Sequence, residues 1–249
     1  FDMAPKTPRE AFGPNTLVWV VRAGYVLFAA FLFWWVATLG GLKTTDGVIA
    51  WAWHPLFTAP AVVLAMSEAV MSYAALERYM DAPHRVAKAV HGGLHAAALL
   101  MLAVGVTLIF VNHAQQGIAP LYSLHSWLGL ATLLGMAAQA AAAVHFFVAG
   151  DPGSAAARDA VPWHALFGTL VYFLAMATVL LGLVEKQSFV ECDEHGNYCR
   201  QKFLPNIMGV LAAAVAAAVG TQFGVFGTGH SERERAAAGG ERTPLQGSK

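Results

Sequence analysis

Four histidines lie near the starts of long apolar segments, where an imidazole is costly in lipid unless it has a partner. They are His54, His91, His125 and His164. Successive antiparallel helices start at opposite membrane faces, so the position of a residue along its helix gives its depth. His54 and His125 should therefore lie near one membrane face, and His91 and His164 near the other. A histidine pair on two helices suits bis-imidazole haem b, whose six-coordinate iron moves electrons without binding substrate. The spacing therefore predicts two haem sites at different depths.

Other interpretations of these histidines stay open. An intramembrane histidine is more often a hydrogen-bonding residue between helices than a metal ligand. Zinc needs ligands that converge on one point, whereas these are divided between two faces. No segment carries the histidine spacing that would place both haems between a single pair of helices. Glycines beside the ligands are expected to give a flat macrocycle room; they are Gly92, Gly93, Gly129 and Gly168.

The composition places the histidines in a membrane protein. Hydrophobic residues make up 57% of the 249-residue chain and charged residues 12%, against about 45–50% and about 25% in soluble proteins. Six apolar stretches approach or exceed the roughly 20 residues that span a bilayer; they cover 17–39, 54–76, 89–111, 123–148, 162–184 and 206–226. We expect an all-α six-helix membrane domain over 17–227, a cytosolic segment over 1–16 and a disordered cytosolic tail over 228–249. The net charge of zero gives no reason to expect a nucleic-acid partner.

The distribution of Lys and Arg predicts the orientation, because these residues favour the cytosolic side. One side collects Lys6, Arg9, Arg22, Arg78, Arg85, Lys88, Arg158, Arg233, Arg235, Arg242 and Lys249. The other side collects Lys43, Lys186, Arg200 and Lys202. Both termini are therefore expected in the cytosol. Cys192 and Cys199 then fall in a non-cytosolic loop, where either a disulfide or two free thiols would be compatible with the sequence.

Four motifs carry a resemblance to a known family. They are L-Y-S-L-H-S-W-L-G from residue 121, H-P at 54–55, P-W-H at 162–164 and G-L-V-E-K at 182–186. Together they resemble the cytochrome b561 family over roughly 17–227. The resemblance implies a six-helix homodimer with two haems b in its central four helices. It further implies electron transfer from cytosolic ascorbate to monodehydroascorbate or a ferric chelate on the other side.

The resemblance also implies ligand and substrate residues. His54 with His125 would hold the non-cytosolic haem, and His91 with His164 the cytosolic haem. His95, one helical turn beyond His91, competes as a ligand, but the family pattern indicates His91. His145 is interpreted as an interfacial or packing residue, and His195 and His230 as solvated residues. Membership would make the chain an oxidoreductase of an endomembrane (of vacuole or endosome type) or of the plasma membrane.

Ascorbate is a monoanion near neutral pH, so its site needs positive charge and hydrogen-bond donors. Basic side chains precede the predicted cytosolic ligands: His84, Arg85 and Lys88 before His91, and Arg158 before His164. Ordinary positive-inside charge would also explain these residues. On the far side, Asn112, His113 and Tyr122 are expected in the loop between helices 3 and 4, with Asn206 opening helix 6. The family uses a histidine and a tyrosine at the positions of His113 and Tyr122 for substrate; the alternative is a loop histidine and an interfacial tyrosine.

Three polar residues fall inside the predicted spans and need partners. Arg22 is a candidate partner for a haem propionate. Glu68 would stay protonated or hydrogen-bond toward helix 4, and Gln139 has no assigned partner. Two other functions remain alternatives to transmembrane electron transfer: a haem-bearing subunit that relays electrons to a partner, and a haem-free transporter that uses its histidines for protons or metal.

Overall fold

The computed structural model describes residues 14–78, 80–192 and 199–221. These residues form no β-strand and six long helices: α1 Pro14–Thr38, α2 Trp53–Glu77, α3 His84–Gln116, α4 Leu124–Ala149, α5 Ala155–Ser188 and α6 Arg200–Gly220. All six are long and apolar enough to cross a membrane. The predicted all-α six-helix bundle of a multi-pass membrane protein is confirmed. Residues 1–13, the tail 228–249, His195 and His230 lie outside the described residues.

Helices α2, α3 and α5 extend beyond both ends of the apolar runs that predicted them, and α6 begins before its run. Helix α5 begins at Ala155 because the Ser154 hydroxyl accepts a hydrogen bond from the Ala157 N–H at 3.1 Å. Helix α4 begins with a reciprocal capping box between Ser123 and Ser126. Hydropathy marks only the hydrocarbon-spanning part of a helix, whereas caps decide where the backbone hydrogen bonds start.

Several loop assignments are corrected by these longer helices. Asn112 and His113 were expected in a loop but lie near the end of α3, which stops where Gly117 adopts a φ of 68°. Arg158 lies in the first turn of α5 rather than before it. Asn206 lies inside α6, which already begins at Arg200.

Helix α2 is the most deeply buried of the six helices. It packs against α1, α3, α5 and α6. It contains one π-helical stretch, Ala61–Met66, and runs at its end into a second, Ala74–Arg78. The first follows Pro60, which lacks an N–H and crowds the preceding turn, so a wider turn accommodates it. Tyr172 of α5 and Ser67 of α2 are both buried, and their hydroxyl oxygens lie 2.9 Å apart, which links the two helices.

The link between α5 and α6 closes on a disulfide. Cys192 and Cys199 are bonded to each other, so the disulfide, rather than the free thiols, is the form observed. Cys199 also starts α6, because its carbonyl accepts hydrogen bonds from the N–H groups of Lys202 and Phe203 at 3.0 Å each. The disulfide therefore connects Cys192, which follows α5, to the residue that begins α6.

Helices α2 and α3 approach closely at Gly105. A β-carbon at this position would lie 2.7 Å from Thr58 Cγ2 and 3.2 Å from the His54 carbonyl oxygen. Both distances are shorter than ordinary contact, so a larger residue must separate the helices. The close contact therefore depends on glycine.

Replacing Gly105 by valine should force α2 and α3 apart. We expect Gly105→Val to lower the free energy of unfolding by about 1–3 kcal/mol, the usual cost of overpacking. Ala103→Val is the matched control, because Ala103 lies on the exposed side of the same helix. Reversible denaturation in detergent measures both variants, and equal losses would contradict the role given to Gly105.

Candidate functional site

The first histidine pair joins the starts of α2 and α4. The ring centroids of His54 and His125 lie 6.0 Å apart, with ring planes at 81°. His54 Nδ1 is 3.0 Å from the Gly105 carbonyl oxygen, and His125 Nδ1 is 3.0 Å from that of Thr178. A carbonyl only accepts, so each Nδ1 carries the proton and each Nε2 has a free lone pair. Ligand histidines in metalloproteins are held in the same way.

The second pair joins α3 and α5. The ring centroids of His91 and His164 lie 6.3 Å apart, with ring planes at 70°. His91 Nδ1 is 2.9 Å from the Ala69 carbonyl oxygen on α2, which fixes the same tautomer as in the first pair. His164 Nδ1 is buried and has no hydrogen-bond partner among the residues that the structure describes.

Both pairs fit a haem iron held by two imidazoles. A metal bound about 2.0–2.1 Å from each coordinating nitrogen places the two ring centroids roughly 6 Å apart, once the ring radii are added. The observed separations of 6.0 and 6.3 Å agree with this spacing. Within the described ranges, no group of three or more His, Cys, Asp or Glu residues is placed to hold a metal ion. The arrangement therefore favours two-histidine sites over a zinc-type cluster.

His95 lies close to the second pair. Its ring centroid is 4.6 Å from that of His91, and its Nδ1 is buried without a hydrogen-bond partner in the described part of the chain. His91 differs because the Ala69 carbonyl orients its ring. His145 is exposed and packs against Phe146, with 4.7 Å between ring centroids. The carbonyl contact supports His91 over His95, and the choice of ligand stays a prediction.

A cavity of about 610 Å³ surrounds the first pair. Its volume lies within the range of about 300–1,000 Å³ that is typical of small-molecule and cofactor sites. Both His54 and His125 line it. Gly182 supports the His125 ring, because a β-carbon there would lie 2.7 Å from His125 Cε1. The helix surface beside His125 therefore has room only for glycine, whereas a β-carbon at Gly92 or Gly93 would meet nothing within 4 Å.

Three of the four residues predicted for the far-side acceptor line this cavity. They are Asn112, His113 and Tyr122, and the His113 and Tyr122 ring centroids lie 6.1 Å apart. The Asn112 amide donates to the Ile49 carbonyl at 2.6 Å, so it also holds the loop between α1 and α2. Asn206 is not among the lining residues; its Oδ1 accepts from the Gln187 amide at 3.1 Å.

The cavity also contains a carboxylate to which the sequence gave no role. Glu185 accepts hydrogen bonds from the Tyr122 hydroxyl at 2.6 Å and the Ser123 hydroxyl at 2.8 Å. Partial burial and this carboxylate raise the pKa of Tyr122 to about 12, so the phenol stays protonated at neutral pH. Glu185 belongs to the G-L-V-E-K run, but nothing in that run indicates a contact with residues 62 and 63 positions earlier.

The basic residues predicted for ascorbate lie near the second pair's end of the bundle. The Lys88 ammonium donates to the Phe147 carbonyl at 2.8 Å, and His84 Nδ1 lies 2.6 Å from Glu77 Oε1. Arg158 donates to the Gly153 carbonyl, and Arg85 is exposed. The Tyr73 ring, which the sequence did not indicate, lies between His84 and His91, at 5.6 and 5.3 Å between centroids.

Arg22 and Glu68 form an ion pair between α1 and α2, and the Tyr25 hydroxyl donates to the same carboxylate. Glu68 therefore hydrogen-bonds toward α1, not toward α4 as one of the expectations had it. Both side chains are mostly buried, with 30% and 24% of their surfaces exposed. Gln139 Oε1 is buried and meets no hydrogen-bond donor within the described ranges. A contact between Arg22 and a haem propionate stays a prediction.

Comparisons with known proteins show which proteins the chain is similar to. The family model described as eukaryotic cytochrome b561 matches residues 53–190. The chain is 37% identical over 193 residues to the probable ascorbate-specific transmembrane electron transporter 2 of Oryza sativa subsp. japonica, covering 76% of this chain and 79% of the relative. It is 35% identical to the ascorbate-specific transmembrane electron transporter 1 of Zea mays, covering 77% and 80%. It is 32% identical to the transmembrane ascorbate ferrireductase 1 of Arabidopsis thaliana, covering 76% and 78%.

Removing one member of the Arg22–Glu68 pair should destabilise the bundle. We expect Glu68→Ala to lower the free energy of unfolding by about 1–3 kcal/mol, below the roughly 3–5 kcal/mol of a fully buried pair, because both groups keep some contact with solvent. The double variant Arg22→Met/Glu68→Met should recover most of the loss, since no charge is left unpaired. Glu77→Ala is the control, because its partner His84 is exposed. Chemical denaturation measures all three, and a double variant at least as unstable as Glu68→Ala would contradict the coupling.

Proposed function

Because the chain belongs to the eukaryotic cytochrome b561 family, we propose that it is an ascorbate-dependent transmembrane oxidoreductase. Membership implies haem b as its cofactor. We further propose two haems b in each chain and a path that carries electrons from cytosolic ascorbate to a non-cytosolic acceptor. The observation that carries the proposal is the pair of matched histidine sites, 6.0 and 6.3 Å between ring centroids, on alternate helices.

His54 and His125 would hold one haem, and His91 and His164 the other. When bound, a six-coordinate haem b accepts and donates single electrons without binding substrate at its iron. The protein's contribution is to fix the ligands: carbonyls of Gly105, Ala69 and Thr178 orient three of the four rings. Fixed ligands need little reorganisation when the charge of the site changes.

The end of the bundle that carries Lys88 would face the cytosol and receive ascorbate. The excess of Lys and Arg at this end supports the orientation, with both termini cytosolic. His84, Arg85, Lys88 and Arg158 would attract and position the ascorbate anion. Lys88 is bound to a carbonyl rather than to a carboxylate, so its charge remains available to an anion. His84 faces Glu77 and serves better as a hydrogen-bonding residue than as a charge.

The cavity at the other end would receive the acceptor, either monodehydroascorbate or a ferric chelate. Reduction of monodehydroascorbate to the ascorbate anion takes up one electron and one proton. His113 and Tyr122 line the cavity and carry exchangeable protons, and Glu185 holds the Tyr122 hydroxyl in place. Asn112 fixes the neighbouring loop. These contacts would orient the acceptor rather than carry the electron.

The proposed assembly is a homodimer in lipid, in an endomembrane of vacuole or endosome type or in the plasma membrane. Large apolar side chains on α1 and α5 are exposed, including Trp19 at 64% and Trp163 at 61%. Lipid or a second copy would cover such surfaces.

Haem content tests the ligand assignment. We expect two haems per chain in the wild type, one in His125→Ala, one in His91→Ala, and two in His95→Ala. His145→Ala is the control, because this exposed histidine belongs to neither pair. A pyridine haemochromogen assay against protein concentration measures the ratio. Equal haem loss in His91→Ala and His95→Ala would reverse the assignment.

Electron transfer across a sealed membrane tests the function. Proteoliposomes loaded with ascorbate should reduce an external ferric chelate, and protein-free liposomes should not. An interior-negative potential should speed the reaction, because it contributes about 2.3 kcal/mol per charge per 100 mV. Haem reduced by ascorbate without reduction of the external chelate would favour a relay subunit. Absence of a b-type haem band would favour a haem-free transporter.

A further inference from the structure

Lys186 lies in the last turn of α5 and lines the cavity around His54 and His125. Its ammonium is 4.1 Å from the centroid of the Trp51 ring, which lines the same cavity. The side chain is partly buried. A positively charged group therefore lines a mostly apolar cavity.

No carboxylate within residues 14–78, 80–192 and 199–221 forms an ion pair with this ammonium. The nearest carboxylate in sequence, Glu185, accepts hydrogen bonds from Tyr122 and Ser123 instead. Among the residues that the structure describes, the ion pairs join Arg22 with Glu68 and His84 with Glu77. A contact with an aromatic face compensates an ammonium only partly, by about 0.5–2 kcal/mol. An anion that enters the cavity would therefore stabilise the Lys186 ammonium more than the Trp51 ring does.

Ordinary roles of a lysine near a helix end do not account for this position. Such a lysine usually extends to water or contacts the last carbonyls of its helix. Here the ammonium lies over Trp51, whose ring is 5.9 Å from that of Trp35. Trp35 in turn donates its indole N–H to the Gln201 carbonyl at 2.8 Å. Residues of α1, α6 and the α1–α2 connection therefore fix the surface that holds Lys186 toward the cavity.

We propose that Lys186 is an anion-binding residue that makes this cavity select negatively charged electron acceptors. The inference rests on the proposed function, since it assigns the cavity to the acceptor. The ammonium leaves the Trp51 ring and pairs with a carboxylate or enolate oxygen of the acceptor. Monodehydroascorbate and ferric carboxylate chelates both carry such groups. A haem propionate offers the same chemistry, so the test must separate the two anions.

Equilibrium binding tests the charge preference without any redox step. Hexacyanocobaltate(III), a redox-inert trianion, and hexaamminecobalt(III), a trication, are titrated into the purified holoprotein by calorimetry. We expect Lys186→Gln to weaken binding of the trianion about tenfold and to leave the trication unchanged or bound more tightly. Lys186→Arg should restore binding of the trianion, since it keeps the charge. Lys43→Gln is the matched control, because Lys43 is exposed at the same end of the bundle and does not line the cavity.

Reoxidation kinetics separate the acceptor from the propionate. Protein reduced with dithionite, and freed of excess reductant, is mixed with ferricyanide or with hexaammineruthenium(III). We expect Lys186→Gln to lower the ratio of the two rates, ferricyanide over hexaammineruthenium(III), about tenfold. A propionate contact would alter the haem potential and slow or speed both acceptors together, so an unchanged ratio overturns the inference. Unchanged trianion binding also overturns it. Because neither measurement uses ascorbate, failure of the proposed ascorbate activity would be seen separately.

Discussion

Hydrogen bonds from histidine rings to the carbonyls of neighbouring helices are the interactions on which the rest of the bundle depends. When one ring nitrogen of a buried histidine coordinates a metal, the other is a polar N–H group. Burying that N–H group is unfavourable unless it finds a hydrogen-bond acceptor. The Gly105, Ala69 and Thr178 carbonyls meet this need for three of the four rings. Each contact requires two backbones to come close, which explains the glycine at 105 and the tight fit of Gly182 against His125. The close packing of the helices and the orientation of the histidine rings therefore depend on the same contacts.

The two ends of the bundle satisfy different needs. At the first pair, the Tyr122–Glu185–Ser123 hydrogen bonds and the Asn112–Ile49 contact join loops and helix ends around a single cavity. At the second pair, basic groups contact carbonyls or lie exposed at the starts of α3 and α5. The first arrangement forms a cavity of a size that suits a small molecule, and the second presents charge at a surface. This difference suits a chain that would receive electrons at one end and release them at the other.

The sequence predicted the helices and both histidine pairs because these depend on local hydropathy and on alternating chain direction. It misplaced Asn112 and His113 because α3 continues past its apolar run to Gly117. It missed Glu185 as a partner of Tyr122, and one of its two alternatives for Glu68 named the wrong helix. Such contacts depend on how helices are rotated about their axes. The position of a residue along a helix gives its depth in the membrane. Which side chain it contacts depends on how the helices pack against each other.

The π-helical stretch after Pro60 changes the direction in which the later side chains of α2 point. A turn closed by an i→i+5 hydrogen bond takes up one residue more than an α-turn, which moves every later side chain by about 100° around the axis. His54 lies before this stretch in α2, and Glu68 and Ala69 lie after it. The two halves of α2 consequently follow different helical phases, so one continuous 3.6-residue wheel assigns the second half to the wrong neighbours. A helical wheel of α2 therefore has to be drawn separately for the residues before and after Ala61–Met66.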